Sequence, residues 1–122
     1  MIYKYCPFCG KKLIFKIIGD EGEIPYCTVC EKPLFPIFST CVISIIINEF
    51  DEIALIKQSY GDTQKYKCVA GFMKPNETAE ECVSREIQEE IGLNPLNVKY
   101  INSYFYEKCD QLMLGFCCKV KK

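Results

Sequence analysis

Four cysteines, arranged as two pairs, constrain the first third of the chain more than any other sequence feature. They form "CPFC" (Cys6 and Cys9) and "CTVC" (Cys27 and Cys30), with seventeen residues between the two pairs. This C-x2-C-x17-C-x2-C spacing is typical of four thiolates that bind one zinc ion, because a tight C-x2-C turn lets both sulfurs reach the same metal. The sequence therefore predicts a Zn²⁺ site with Cys6, Cys9, Cys27 and Cys30 as ligands.

The segments around these pairs predict a small zinc ribbon over residues 1–35. "KKLIFKII" and "IPY" are typical of two short strands on either side of a turn, "GDEGE". A segment of roughly thirty residues buries too little apolar surface to fold alone, so the metal would supply the missing stability. Four thiolates leave no open coordination position, which favours a structural rather than a catalytic zinc. Two disulfides or four unpaired thiols are the alternative.

Composition limits the partners and the compartment. The chain has 122 residues and a net charge of −1, so neither a nucleic-acid partner nor a membrane surface is indicated by charge. "MIYKYCPFCG" lacks the apolar region of a signal peptide, and "CVISIII" is too short to span a bilayer, which predicts a cytoplasmic protein. There is no histidine, so acid–base chemistry must fall to carboxylates, lysine, tyrosine or metal-bound water.

The remaining residues, 36–122, predict a second domain of mixed strands and one helix. Ile43 to Ile47 and Ile53 to Ile56 are typical of a β-hairpin, because β-branched residues flank the turn-forming segment from Asn48 to Asp51. Further strands are predicted at "YKCVAGF", "NVKYINSYFY" and "LMLGFCCKV". One helix among these strands indicates the α+β class. The other six cysteines show no ligand spacing and are expected to be core residues without chemistry, as cysteine in apolar surroundings usually is: Cys41, Cys68, Cys82, Cys109, Cys117 and Cys118.

The helix is signalled at both of its ends. Thr78 with Glu81 forms a capping-box pattern, and Gly92 is typical of a helix C-terminus. Between them, apolar residues every four positions predict the face that packs on the sheet: Val83, Ile87 and Ile91.

Three glutamates, Glu86, Glu89 and Glu90, share an arc of this helix beside its apolar stripe. Like charges three or four positions apart on a helix cost about 0.2–0.5 kcal/mol per pair, and a divalent cation would offset that repulsion. Arg85 is within reach of Glu81 and of Glu89. An acidic face alone is more often solvated surface than a metal site, so the neighbouring residues decide between the two interpretations.

Those neighbours complete a longer pattern that resembles the Nudix box, G-x5-E-x7-R-E-U-x-E-E-x-G-U. The matching positions are Gly71, Glu77, Arg85, Glu86, Ile87, Glu89, Glu90, Gly92 and Leu93. The resemblance implies a Nudix hydrolase, which cleaves a nucleoside diphosphate linked to another group. It also implies a mixed β-sheet sandwich that carries the box as a loop–helix–loop catalytic motif.

The roles implied by this resemblance carry over residue by residue. Glu86, Glu89 and Glu90 would ligate Mg²⁺ or Mn²⁺, with the carbonyl of Gly71 as a further candidate ligand. Arg85 would orient the cluster and pair with Glu77. Hard carboxylate oxygens suit these ions, which stabilise phosphate charge and lower the pKa of a bound water for attack on phosphorus. Glu86 is the first choice for a combined role as ligand and base.

Within this family the chain resembles the NADH pyrophosphatase branch, which also removes NAD caps from RNA. A four-cysteine ribbon, "CVAGFMKPNET" and "LMLGF" carry that likeness. In place of the branch signature S-Q-P-W-P-F-P-x-S the chain has "SYFYEKCDQ", which keeps Ser103 and two aromatic residues, Phe105 and Tyr106. These aromatics are candidates for stacking on a base or nicotinamide, and a place in the core is the alternative.

The branch continues past "LMLGF", so we expect the Nudix domain to be truncated at its C-terminus. Dimerisation is usual in the branch, which makes a second copy of the chain a candidate partner.

Three function classes stay open at this point. The first is a pyrophosphohydrolase of NAD(H) or a related nucleoside diphosphate derivative, and the second is a Nudix hydrolase of ADP-ribose or a nucleoside triphosphate. The third is a non-catalytic nucleotide- or nucleic-acid-binding protein whose ribbon is the functional part. The intact glutamates favour an enzyme, since a site without metal has no use for mutually repelling charges.

Overall fold

The computed structural model describes residues 1–57 and 64–122, and it divides into two compact units, Met1–Phe38 and Ser39–Lys122. The first unit is a three-stranded antiparallel sheet in the order β1-β2-β3. Its strands are β1 (Ile14–Ile17), β2 (Glu23–Cys27) and β3 (Lys32–Pro33). The predicted turn between β1 and β2 contains a short 3-10 segment, Gly19–Glu21. The two-residue β3 was not predicted, because so short a strand has no periodicity to detect.

The second unit is a four-stranded mixed sheet in the order β5-β4-β7-β6. Its strands are β4 (Ser39–Ile47), β5 (Val69–Phe72), β6 (Asn97–Tyr106) and β7 (Gln111–Lys119). The central strand β4 runs parallel to β7 and antiparallel to β5, and β6 closes the other edge antiparallel to β7. One helix accompanies this mixed sheet in the described part of the chain, which confirms the α+β class.

The helix α1 (Ala79–Ile91) forms as its sequence predicts. The Thr78 hydroxyl accepts a hydrogen bond from the Glu81 backbone N–H at 3.1 Å, and the Glu81 carboxylate accepts one from the Thr78 N–H at 3.1 Å. Gly92 ends the helix in the left-handed conformation, with φ of 71°. No helix within residues 1–57 and 64–122 is both long and apolar enough to cross a membrane.

The core of the second unit lies between α1 and the sheet. It consists of Val42, Ile46, Val69, Cys82, Val83, Ile87, Phe116, Cys118 and Val120. Burial raises the pKa of the Cys82 and Cys118 thiols to about 12 and 11, which keeps both protonated and inert. The expectation that the unpaired cysteines are core residues is confirmed for these two and for Cys41. It is wrong for Cys109, which is exposed in a 3-10 turn, Glu107–Cys109.

The predicted hairpin after β4 forms only in part. The chain does turn at Asn48, whose side-chain oxygen accepts hydrogen bonds from the N–H groups of Phe50 and Glu52, both at 2.9 Å. The returning segment makes isolated bridges, one of them between Ile47 and Ile53, rather than a continuous strand. One edge of β4 is fully paired with β7, and on the other edge β5 pairs with Cys41 to Ser44. Only the end of that second edge is therefore left for the returning segment.

Candidate functional site

The four paired cysteines meet in the first unit. Their sulfur atoms all lie within 4.8 Å of one another, with 3.9 Å between Cys6 and Cys30 and 3.5 Å between Cys9 and Cys27. A tetrahedral zinc with Zn–S bonds of about 2.3 Å needs sulfurs about 3.8 Å apart, whereas a disulfide needs about 2.05 Å. The thiols are free. This geometry fits a zinc ion and contradicts the disulfide alternative.

The electrostatics of the cluster also call for a cation. Burial raises the pKa of Cys6, but hydrogen bonds from the N–H groups of Cys9 and Phe8 outweigh it and bring that pKa down to about 7. The opposite happens at Cys30, where the Cys9 side chain, burial and the other thiols raise the pKa to about 12. The Cys6 thiol, with its lowered pKa, therefore ionises most readily, whereas the raised pKa of Cys30 opposes ionisation of the whole cluster. A metal ion supplies the positive charge that full ionisation requires.

In the second unit, Arg85 is the centre of the acidic network. Its Nε and Nη2 atoms donate to the two carboxylate oxygens of Glu77 at 3.0 and 2.8 Å. Its Nη1 atom donates to Glu86 at 2.9 Å and to Glu89 at 3.3 Å, and Nη2 also reaches the backbone carbonyl of Phe72 at 3.0 Å. One guanidinium thus joins the helix to the loop and strand before it.

Glu77 connects that loop to the helix through its hydrogen bonds with Arg85. Besides Arg85, it accepts a hydrogen bond from the backbone N–H of Lys74 at 2.6 Å. The Arg85 guanidinium and then this N–H lower the pKa of Glu77 to about 2, so the carboxylate is ionised at any physiological pH. Glu81, which the sequence also placed within reach of Arg85, is engaged in the helix cap instead.

Glu86 is the most enclosed of the three clustered glutamates, with 8% of its surface exposed. Its carboxyl group lies directly against the Cα atom of Gly71, so the methyl group of an alanine at position 71 would overlap it. Oε1 of Glu86 accepts from Arg85, while Oε2 has no hydrogen-bond partner in the described part of the chain. Glycine at position 71 therefore leaves room for a carboxylate that keeps one oxygen available.

All three glutamates line one open cavity of about 450 Å³. Its other walls are Cys41, Ala70, Gly71, Phe72, Lys74, Arg85, Gln111 and Met113. Among residues 1–57 and 64–122 the carboxylates do not converge as tightly as the cysteines, because the Arg85 guanidinium stands between Glu86 and Glu89. Carboxylate oxygens at the rim of a solvent-filled cavity are the donor set that Mg²⁺ or Mn²⁺ prefers.

The predicted stacking residues Phe105 and Tyr106 lie elsewhere. They sit on β6 opposite Leu112 and Gln111 and are 46% and 43% exposed, so the core alternative is wrong for both. Neither is among the residues that line the glutamate cavity. The structure thus brings together the candidate metal ligands with Arg85, Glu77 and Gly71, but not these aromatics.

The sequence interpretation missed several walls of the cavity. Cys41 and Met113 face it from β4 and β7, where they are paired in register, and Phe72 pairs with Cys41 from the other side. The only signal that could have found them is strand pairing, which a single sequence does not carry.

Comparisons with known proteins find a matching family model and several relatives of this chain. A family model described as the NUDIX domain matches residues 38–121. The NAD-capped RNA hydrolase NudC of Pseudomonas fluorescens is 32% identical over 114 residues, which cover 93% of this chain and 40% of that protein. The enzyme of the same name from Photobacterium profundum is 30% identical over 112 residues, covering 92% and 41%. The chain therefore spans about two fifths of the length of these relatives.

A solved structure extends the likeness to three dimensions. The NUDIX hydrolase from Nitrosomonas europaea superposes with a TM-score of 0.71 at 26% identity, over 97% of this chain and 68% of that one. A MutT structure, from a study of Aliivibrio salmonicida and Vibrio cholerae, is similar at 16% identity and a TM-score of 0.55 over 69% of this chain and 66% of that one, which bears on the fold alone.

Proposed function

The chain belongs to the NUDIX domain family, and from that premise we propose that it hydrolyses the diphosphate of a nucleoside diphosphate linked to another group. The observation that carries this proposal is the set of glutamates that Arg85 gathers at the wall of one cavity. NAD(H) is the leading substrate, since similar proteins bear the name NAD-capped RNA hydrolase.

Glu86, Glu89 and Glu90 would hold Mg²⁺ or Mn²⁺, with the Gly71 carbonyl as a further ligand. Such an ion, when bound, offsets the charge of the diphosphate and makes water a stronger nucleophile. Arg85 holds Glu86 and Glu89 in place, because its guanidinium lies 2.9 and 3.3 Å from their carboxylate oxygens. Glu86 accepts the proton of the attacking water through its available oxygen.

The cysteine cluster has a different task in this proposal. Zinc bound by four thiolates is closed to substrate and stabilises the ribbon. Free thiols are maintained in a reducing compartment, which agrees with a cytoplasmic protein.

A second candidate is a hydrolase of ADP-ribose or of a nucleoside triphosphate. The observation in its favour is that the chain lacks the NADH-branch signature and that Phe105 and Tyr106 lie outside the cavity. Phe72 is then the one aromatic side chain in the described lining of the cavity, which offers a dinucleotide less stacking surface.

Hydrolysis assays with NADH, NAD, ADP-ribose and nucleoside triphosphates, each with Mg²⁺ and with Mn²⁺, test both candidates. Glu89→Gln keeps the shape of the side chain and removes its charge, so we expect kcat/KM to fall on the order of a hundredfold. Glu80→Gln is the matched control, because Glu80 is exposed on the same helix and lies outside the cavity. Activity that Glu89→Gln leaves intact would contradict the proposed site, while turnover of triphosphates alone would favour the second candidate.

A further inference from the structure

The net charge of the chain conceals an uneven distribution in the ribbon. Residues 1–16 contain four lysines, four aromatic residues and no Asp or Glu, and the acidic residues of this unit begin only at Asp20. The start of the ribbon is therefore a basic and aromatic segment attached to an acidic turn. Its lysines and rings alternate closely, as in "YKY" and "KKLIFK".

These residues surround a second cavity, of about 520 Å³. Its lining contains three aromatic residues, Tyr3, Tyr5 and Phe15, and two lysines, Lys4 and Lys12, with apolar residues completing the walls. No carboxylate belongs to the lining. The cavity therefore offers flat apolar surfaces together with positive charge.

Backbone pairing holds the two sides of this cavity. The N–H of Leu13 donates to the carbonyl of Lys4 at 3.0 Å, and Tyr5 pairs with Lys12 in an antiparallel bridge. The strand that follows, β1, is at the edge of its sheet. Tyr5 and Phe15 nevertheless remain 59% and 64% exposed, so the fold presents these rings to solvent instead of burying them.

The lysines of the cavity also differ from other lysines of the ribbon. Lys16 and Lys32 place their ammonium groups over the rings of Tyr26 and Phe8, at 4.3 and 3.6 Å. Lys4 and Lys12 have neither a ring nor a carboxylate as partner within residues 1–57 and 64–122. Their charge is available to a ligand.

We propose that this face of the ribbon binds a single-stranded polynucleotide, with bases stacked on Tyr5 and Phe15 and phosphates beside Lys4 and Lys12. An apolar partner would explain the exposed rings but not the lysines, and an acidic protein would explain the lysines but not the rings. A single strand accounts for both, because it carries a charged backbone and flat bases that are not paired. The site is separate from hydrolysis and needs no catalytic glutamate.

Fluorescence anisotropy of labelled twelve-nucleotide strands, one of RNA and one of DNA, tests this proposal on the zinc-loaded full chain. Tyr5→Leu keeps an apolar side chain but removes the stacking surface, so affinity should fall between about fivefold and a hundredfold. A plot of log affinity against log salt concentration has a negative slope, and Lys4→Gln and Lys12→Gln should each make it shallower by about 0.7. Comparison of the two strands tells whether the 2′-hydroxyl contributes.

Matched controls lie in the other unit. Phe50→Leu removes a ring that is 67% exposed, and Lys99→Gln removes an exposed lysine; neither should change binding. Glu89→Gln should also bind normally, which separates this proposal from the proposed hydrolase activity. Zinc content, measured for every variant, shows whether the ribbon is folded.

Four results would overturn the proposal. One is the absence of single-strand binding at low salt, and another is equal affinity for duplex and single strand. A third is that Tyr5→Leu changes only self-association, which would make this face a contact between two copies of the chain. The fourth is that the lysine variants lose zinc while nucleic-acid binding is unchanged, which would assign those lysines to neutralising the thiolates.

Discussion

The two units of the chain each gather side chains that can carry negative charge, and they differ in what could offset that charge. In the ribbon the buried core is Cys6, Cys27 and Leu34, so two of its three members are themselves candidate metal ligands. In the described part of the sheet unit, nine buried residues form a core that contains no carboxylate, and Arg85 already pairs with Glu86 and Glu89. The comparison indicates that the fold of the ribbon depends on a bound metal, whereas the fold of the sheet unit does not.

Removal of zinc is the change that should separate the two units most. A chelator, or the substitution Cys27→Ser, should unfold residues 1–38 while residues 39–122 keep their fold, because structural zinc contributes about 10–16 kcal/mol in small zinc-binding peptides. Amide hydrogen exchange of each unit measures this. Cys109→Ser, which alters an exposed thiol outside the cluster, should keep the zinc content of the unaltered chain. If the ribbon amides stayed protected from hydrogen exchange without metal, the proposed difference between the two units would be wrong.

A cavity in the sheet core should produce the reverse pattern. Ile87 is fully buried, so Ile87→Ala should lower the free energy of unfolding of the second unit by about 2–5 kcal/mol and leave the zinc content unchanged. Denaturant unfolding, followed by hydrogen exchange in each unit, measures the effect. Ile101→Ala, at a position that is 53% exposed, should change stability by less than about 0.5 kcal/mol.

Substitution at Gly71 should affect activity more than stability. The methyl group of Gly71→Ala would displace the Glu86 carboxyl group, and we expect kcat/KM to fall about tenfold, equivalent to about 1.4 kcal/mol. Because Gly71 does not occupy the left-handed region, the backbone accepts alanine without strain. A double-mutant cycle with Glu86→Gln checks the cause, since the Gly71 effect should shrink when residue 86 is no longer a carboxylate. Full additivity would contradict the proposed contact.

The smallest effect concerns the dependence of stability on pH. Glu77 has a pKa of about 2 in the folded chain against an ordinary value of 4.5, so its carboxylate stabilises the fold above pH 4.5 and that contribution is lost as the pH falls towards 2. Glu77→Gln should therefore be less stable than the unaltered chain near neutral pH. Urea unfolding at several pH values measures the free energy of unfolding of the second unit in both proteins. The two plots of this free energy against pH should approach each other near pH 2. Parallel curves would show that Glu77 contributes no pH-dependent stability.

The sequence was most informative where the signal is local. The helix could be placed from Thr78, Glu81 and Gly92 because capping depends on residues three or four positions apart. The meeting of the four cysteines was likewise predicted from the spacing within and between the two pairs. Where structure depends on distant pairing, prediction was weaker: β3 was missed, and the returning strand after β4 was expected to be longer than it is.

The candidate site shows the same division. The glutamates share one helix, so their proximity was predictable from the helical period. The bond from Arg85 to Glu86 was not, since neighbouring residues on a helix usually point apart and only the long guanidinium spans both. Cys109 was expected in the core with the other unpaired cysteines, but its sequence neighbours Lys108 and Asp110 are charged, and a turn with Asp110 in the left-handed conformation leaves it exposed.

Binding of Mn²⁺, followed by electron paramagnetic resonance, tests most directly whether the helix glutamates hold a divalent ion. We predict that the zinc-loaded chain binds Mn²⁺, that Glu86→Gln and Glu89→Gln each weaken binding at least about tenfold, and that Glu80→Gln does not. Equal Mn²⁺ binding by the unaltered chain and all three variants would contradict the account, because Glu86 and Glu89 would then not be ligands of the ion.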